Sequence, residues 1–235
     1  MELIKEKWTK SDGIEFQNYL KIRQNEKKQD FSRKIANTNF PVLGIMTPEL
    51  KKIAKKICKG NFISFLDLNL TEYYENLLIN GFLIANIKDF NEFKTRLYDY
   101  GKIVDSWACC DLLKFDIKEK DRNNFLNLSL EYIKDNHIFI RRIGVILWFG
   151  LLKFDDCFEK ISKNIGTLKN ENEYYVNMAL SWFIAECFIK RRNETIKLFN
   201  SNVLNTFVTN KSIQKIRESF RASDSDKQML LKYKK

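Results

Sequence analysis

Helix breakers are scarce in this chain. Its 235 residues include only eight Gly and two Pro, so few positions force a helix to end once it has begun. Neither GxGxxG nor GxxxxGK[ST] occurs, which excludes the glycine-rich loops of Rossmann and P-loop nucleotide sites. The composition therefore predicts an all-α fold.

Apolar residues recur at helical spacing and support this prediction. Thr47, Pro48 and Glu49 form an N-cap, a first-turn proline and an acidic first turn, and Gly60 follows as a stop signal. Apolar residues also open a first helix, at Ile14, Tyr19 and Ile22. Further helices are predicted near residues 61–68, 72–87, 89–100, 104–115, 119–135, 138–152, 154–165, 172–190, 193–203, 210–221 and 224–233.

Long apolar helices begin near Tyr74, Phe139 and Tyr175, with the segment around Trp107 between the first two. The starts recur roughly every 32 to 36 residues, the scale of a two-helix repeat. Such pairs must stack to bury both faces. We therefore predict a single domain, residues 1–235, folded as a HEAT-like α-solenoid of stacked antiparallel helix pairs with a concave basic face. A compact helical bundle is the alternative.

The chain is strongly basic. Lys and Arg total 41 against 30 Asp and Glu, a net charge of +11, which favours a polyanion such as nucleic acid as partner, although a lysine-rich genome would give the same excess. Basic pairs at helical spacing are typical of solvated faces, but in successive repeats they would line one groove. The predicted DNA-binding residues are Lys51, Lys55, Arg141, Arg142, Lys211 and Lys215.

Several enzyme and site classes are excluded by residue content. The single histidine, His137, is placed as a helix-start residue, and it is too few for a zinc hydrolase or a Ser-His-Asp catalyst. The five cysteines have no CxxC spacing, so they are expected to be reduced and mostly buried, Cys109 and Cys110 as small core residues. No metal or cofactor is predicted.

No membrane segment is expected. The N-terminus lacks the apolar core of a secretory leader, and the longest apolar run, Ile143 to Leu152, falls short of the roughly 20 residues that cross a bilayer. We therefore expect a cytoplasmic protein, associated with the nucleoid in a bacterial cell. A capped solenoid is expected to be a monomer.

Trp107 and Asp111 stand four residues apart. On a helix this spacing places both on one face, where an indole and a carboxylate would form a small pocket for a cation. The alternative is structural: Trp107 and Trp182 as core aromatics, and Asp111 as a cap or as the ion-pair partner of an arginine such as Arg142.

Three sequence motifs, taken in their order along the chain, resemble those of a known family. The motifs are Asp105-Ser106-Trp107-Ala108-Cys109-Cys110-Asp111, Ile138-Phe139-Ile140-Arg141-Arg142-Ile143-Gly144-Val145 and Tyr174-Tyr175-Val176-Asn177-Met178-Ala179-Leu180-Ser181-Trp182. With the flanking stretches 40–49 and 213–220, the chain resembles the AlkD-type DNA alkylation repair family of HEAT-like repeat proteins over roughly residues 15 to 225.

The resemblance implies a DNA N-glycosylase that excises cationic N3- or N7-alkylated purines from double-stranded DNA without flipping the base. It implies catalytic roles for Asp111, Trp107 and Trp182 and a phosphate contact for Arg142. No cofactor is implied.

Two departures weaken the implied chemistry. Lys34 or Ile35 stands where the resembled glycosylases carry an aromatic near the DNA, and Met178 stands where a basic residue can occur. Since fold does not fix function, the alternative is a non-catalytic HEAT-like protein that binds branched or distorted DNA. A solenoid that binds only proteins is a third reading, disfavoured by the charge.

Overall fold

The computed structural model describes residues 1–235 and contains two compact units, Met1–Phe115 and Asp116–Lys235. All regular secondary structure in both units is helical. The all-α prediction is confirmed. The single domain, the HEAT-like assignment and the concave basic face stay predictions.

The first unit contains seven α-helices, which are α1 (Lys10–Lys21), α2 (Glu26–Ala36), α3 (Thr47–Ile57), α4 (Phe62–Leu66), α5 (Tyr74–Ile84), α6 (Phe90–Ile103) and α7 (Trp107–Asp111). The second unit contains α8 (Arg122–Tyr132), α9 (Ile138–Leu151), α10 (Asp155–Asn164), α11 (Tyr174–Lys190), α12 (Arg192–Asn200), α13 (Thr206–Glu218) and α14 (Asp224–Met229). Short 3₁₀ turns cover Glu119–Asp121, Ile165–Leu168 and Leu230–Tyr233.

One apolar helix lies at the centre of the first unit. Nine of the eleven residues of α5 are buried, and the helix packs against α3, α4, α6 and α7. Burial on so many sides requires apolar residues around the whole helix rather than along one stripe. Helices α3 and α7 therefore both pack against α5.

The second unit is built around α9 and α11. Helix α9 packs against both α8 and α11, and α11 packs against both α9 and α13. Each long apolar helix thus buries its two faces against neighbours, which is the packing that stacked helix pairs require. His137 is the N-cap of α9, as predicted.

Two local predictions were wrong. Helix α3 has Met46 rather than Thr47 as its N-cap, with no side-chain cap bond. The predicted first helix is present as α1, which buries Phe16 and Leu20 while Ile14 and Ile22 are 68% and 83% exposed; Phe16 packs edge-on against the Trp8 and Phe65 rings.

The predicted helix over 104–115 is also wrong, since α7 has only five residues. Residues Val104 and Ser106 are extended, with ψ angles of 140° and 137°. This extended conformation is stabilised because residues 105–107 form hydrogen bonds with the C-terminal end of α2 and the residues that follow it.

The C-terminal end of α2 is held by three consecutive residues. The Ser106 hydroxyl donates to the Ala36 carbonyl at 2.6 Å, and Trp107 Nε1 donates to the Ile35 carbonyl at 2.8 Å. The Asp105 carboxylate accepts from the Thr38 hydroxyl and the Asn39 amide, both at 2.6 Å. The last carbonyls of a helix have no partner within it, so these side chains complete α2, which itself buries only Ala36.

A buried carboxylate holds the loop before α3. Glu75 is 1% exposed and accepts from the backbone amides of Leu43, Gly44 and Ile45 at 2.8–3.2 Å. Burial raises the pKa of this carboxyl, against the opposing effect of the amide donors. Gly44 has φ +79° and a Cβ there would lie 2.4 Å from the Asn25 carbonyl oxygen, so the loop requires glycine at this point.

The five cysteines are free, and all except the half-buried Cys58 are buried, as predicted. None of the helices has the length and apolar character needed to span a bilayer. No group of three or more His, Cys, Asp or Glu side chains is placed to hold a metal ion.

We expect Ser106→Ala to lower the free energy of unfolding by about 1–3 kcal/mol, because a buried carbonyl at the end of α2 loses its donor. Ser162→Ala is the matched control, since the Ser162 hydroxyl oxygen is buried without a hydrogen-bond partner and its removal should cost nothing. Urea unfolding of both variants tests this, and equal stability of the two would contradict the capping role of Ser106.

We expect Gly144→Ala to destabilise by about 1–2 kcal/mol through overpacking. A Cβ at Gly144 on α9 would lie 2.9–3.0 Å from side-chain and backbone atoms of Ile133 and Tyr132. A Cβ at Gly166 would meet only Val203, at 3.9 Å, so Gly166→Ala should change little. Thermal unfolding compares the two variants. A Gly144→Ala protein that is more stable than the wild type would contradict the prediction, because it would show that α8 and α9 move apart at no cost in stability.

Candidate functional site

Trp107 and Asp111 line one cleft of the first unit, which we call the Trp107 cleft. Its volume is about 250 Å³. Both residues are half-buried and lie at the two ends of α7, so one short helix supplies both side chains to the cleft. The other lining residues include Phe31, Ser32, Ile35, Met46, Thr47, Tyr74, Glu75, Leu78 and Leu112.

The Trp107 indole is fixed in orientation. Its only donor, Nε1, is used by the Ile35 carbonyl, which leaves the ring surface to meet a ligand. A half-exposed indole held in this way offers a π face to a cation. The placement of Ser106 as the N-cap of α7 fixes the backbone directly before it.

The position of Asp111 favours positive charge. The carboxylate lies at the C-terminal end of α7, where the helix carbonyls already carry partial negative charge. Both effects have the same sign and favour positive charge over negative charge at this helix end. Among the residues that line the cleft, Asp111 and the buried Glu75 are the acidic ones.

One aromatic residue of the cleft, Phe31, was not among the predicted site residues. Phe31 on α2 is 60% exposed and lines the Trp107 cleft together with Ile35, which is 46% exposed. The signal was present in the sequence, because Phe31 and Ile35 are four residues apart on an otherwise polar helix. Lys34 is exposed and does not line this cleft.

The four tryptophans divide into two groups. Trp8 and Trp148 are 3% and 0% exposed and belong to the core. Trp182 is 39% exposed, and Trp107 is half-buried. The two indoles that the resemblance singles out are thus the two that reach the surface, which counts against the purely structural alternative for them.

Trp182 lines a cleft of the second unit, which we call the Trp182 cleft, with a volume of about 270 Å³. Its ring packs against Phe149 with centroids 4.4 Å apart. Lys215, Glu186 and Arg221 line the same cleft. Hydrogen bonding from Arg221 lowers the pKa of Glu186, so this carboxylate is already paired with a cation.

Arg141 and Arg142 are both held by their own unit. The Arg141 guanidinium donates to both Glu171 oxygens, at 2.7 and 3.3 Å, and to the Asp135 carbonyl at 2.8 Å. Arg142 is 4% exposed and donates to the Tyr175 carbonyl. These contacts fix both side chains on α9. Met178, the other departure from the resembled pattern, is half-buried on α11.

Lys51 and Lys55 lie on the exposed side of α3 and line a third cleft, of about 240 Å³, which we call the Lys51 cleft. Lys114 also lines it, and Lys51 Nζ lies 5.7 Å from the centroid of the Phe82 ring. No carboxylate lies within 4 Å of any of the three lysines, whereas Arg23 and Arg96 of the same unit are ion-paired.

The predicted pair Lys211 and Lys215 on α13 does not share a cleft. Lys215 lines the Trp182 cleft, while Lys211 lines a separate cleft beside the last residues of the chain. Four residues along a helix place two side chains one above the other, but the neighbouring segments decide which opening each one faces.

No curated protein matches the chain. A family model described as DNA alkylation repair enzyme matches residues 16–216, which is most of the chain and includes Trp107, Asp111, Arg142 and Trp182. The chain therefore belongs to the DNA alkylation repair enzyme family.

Proposed function

We propose that this protein is a DNA N-glycosylase that excises cationic N3- or N7-alkylated purines from double-stranded DNA. The observation that carries the proposal is that Trp107 and Asp111 line one cleft in a member of this family. A half-exposed indole, a carboxylate and the negative end of a helix all favour positive charge at the same place.

For a cationic alkylpurine, a site that stabilises positive charge is sufficient for catalysis without a strong general acid. In an alkylated purine that already carries positive charge, the C1′–N9 bond breaks with its electron pair moving to N9, so the base leaves neutral and needs no strong acid. The sugar becomes oxocarbenium-like. Water then attacks C1′ and releases a proton, which gives a free base and an abasic site. The enzyme has mainly to stabilise the cationic sugar.

We assign this stabilisation to Asp111. A fixed carboxylate beside C1′ lowers the energy of the developing positive charge and orients the attacking water through a hydrogen bond. Trp107 contributes the attraction of its ring face for the same charge, since its Nε1 is already used by Ile35. Phe31 provides a second aromatic surface at the cleft.

In the second unit, we propose that Trp182 contacts the DNA, because its indole is exposed and packs against Phe149. Arg142 is assigned to a backbone phosphate. The Arg142 side chain is 4% exposed and donates to the Tyr175 carbonyl, so this phosphate contact rests on the family resemblance and not on an exposed guanidinium. Arg141 keeps its place beside it through Glu171.

Duplex affinity is assigned to lysines that have no carboxylate partner. Lys51 and Lys55 of the first unit and Lys211 and Lys215 of the second unit have none within 4 Å, unlike most of the arginines. An unpaired lysine can neutralise a phosphate without first giving up an ion pair.

We expect Asp111→Asn to reduce release of N7-methylguanine and N3-methyladenine from methylated duplex DNA by about 100-fold or more, since it removes the charge that stabilises the transition state. Affinity for the duplex should be kept. Asp99→Asn is the control, because Asp99 lies on α6 and forms only an exposed pair with Lys102.

Equal rates of release by the wild-type protein and Asp111→Asn would contradict the role of Asp111. Salt-dependent binding by both proteins, with release by neither, would replace the glycosylase by the non-catalytic protein that binds branched or distorted DNA. Binding to a four-way junction then measures that alternative directly.

We expect the double substitution Lys51→Gln and Lys55→Gln to weaken duplex binding and to reduce the salt dependence of log K by about 0.9 for each lysine that contacts a phosphate. Lys102→Gln is the control, since Lys102 is paired with Asp99. Titrations at several salt concentrations supply the slopes. An unchanged slope would show that the Lys51 cleft lies away from the DNA.

A further inference from the structure

A basic cleft of the second unit, which we call the Lys211 cleft, has no role in the chemistry above beyond Lys211 itself. It lies between α13 and the last two residues, Lys234 and Lys235, and its volume is about 620 Å³. The lining residues are Phe207, Asn210, Lys211, Gln214, Arg217, Glu218, Lys234 and Lys235. Clefts of this size commonly accept small organic groups.

The cations of the Lys211 cleft are unpaired. Lys211, Arg217, Lys234 and Lys235 have no carboxylate side chain within 4 Å, whereas Arg122, Arg141, Arg191, Arg192 and Arg221 of this unit each have one. The one acidic side chain in the lining, Glu218, accepts from the Gln214 amide at 2.7 Å. Four basic side chains and one acidic side chain therefore line the cleft, so its lining carries a net positive charge.

The wall formed by the end of the chain is fixed. Asn210 donates to the Lys235 carbonyl oxygen at 2.7 Å and accepts from the Lys235 amide at 3.0 Å. Lys235 Nζ donates to Asn202 at 2.7 Å. These bonds hold residue 235 against α13, so the cleft exists before any ligand arrives and less ordering cost opposes binding.

An aromatic ring completes the Lys211 cleft. Phe207, in the first turn of α13, is 40% exposed, and the Tyr174 ring supports it in an edge-to-face arrangement with centroids 6.0 Å apart. The amide side chains Asn210 and Gln214 stand on the same helix toward its end. An exposed ring beside unpaired cations is the combination on which unpaired bases stack.

We propose that the Lys211 cleft binds an unpaired nucleotide of a nucleic-acid strand. Lys211, Arg217 and Lys234 contact adjacent phosphates, and Phe207 stacks with the base. The site differs from the Trp107 cleft, and it gives the protein affinity for single-stranded segments. This inference rests on the proposed interaction with DNA but not on base release.

The test is the binding of a labelled ten-nucleotide oligothymidylate, followed by fluorescence anisotropy. The double substitution Lys211→Glu and Arg217→Glu should weaken binding at least tenfold. The matched control, Lys160→Glu with Lys169→Glu, makes the same change in net charge at two exposed lysines that have no carboxylate partner and should weaken binding less than twofold. Equal losses in the two proteins would overturn the site.

Stacking is tested separately at Phe207, without altering charge. Phe207→Ala should weaken oligothymidylate binding about tenfold, in the range measured for loss of one stacked base, while Phe207→Trp should retain it. With an abasic oligonucleotide of the same length, Phe207→Ala should make no difference. A loss that is equal for both oligonucleotides would overturn the base contact.

Two further results separate the alternatives. Inorganic diphosphate that displaces the oligonucleotide at equal concentration would overturn the strand as ligand, because it shares only the phosphate chemistry. Base release from methylated duplex DNA by the wild-type protein, without oligothymidylate binding, would overturn this inference and leave the proposed function standing. Oligothymidylate binding without base release would support the proposed site in the Lys211 cleft and contradict the glycosylase function.

Discussion

The hydrogen bonds that residues 105–107 make to the end of α2 are the constraint on which the first unit's candidate site depends. Helix α2 buries almost nothing, so apolar packing does not fix it. Ser106 and Trp107 instead supply donors to carbonyls that the helix leaves unsatisfied. The same bonds keep residues before α7 extended, end the long helix that periodicity predicts there, and orient the indole. One set of contacts thus places Phe31, Trp107 and Asp111 around a single cleft.

Charge has two structural roles in this protein. Most arginines form ion pairs within their own unit, such as Arg141 with Glu171 and Arg96 with Asp67. Such pairs contribute little to stability when exposed, but they remove those cations from competition for a ligand. Several lysines without a carboxylate partner line clefts, among them Lys51 and Lys55 in the first unit and Lys211 in the second. At these clefts positive charge is available to a polyanion.

Burial separates the aromatic residues that hold the fold from those that can meet a ligand. Trp148 is fully buried and its Nε1 donates to Ser129, so both its apolar and polar parts are satisfied by the core. Trp182 and Phe207 keep more than a third of their surface exposed although each has an aromatic neighbour. A ring that is supported from one side and open on the other is ready to stack, and both rings lie beside unpaired lysines.

The sequence by itself determined the helical class, the free and mostly buried cysteines, and the placement of Trp107 and Asp111 on one short helix, because helix breakers, redox residues and four-residue spacing act locally. It also carried the motifs of the family. Tertiary structure alone decided which face of α1 turns inward, that Phe31 joins the cleft, and that Lys211 and Lys215 open onto different clefts. Those outcomes depend on contacts between residues far apart in the chain, such as Ser106 with Ala36, and local pattern carries no information about which distant groups will meet.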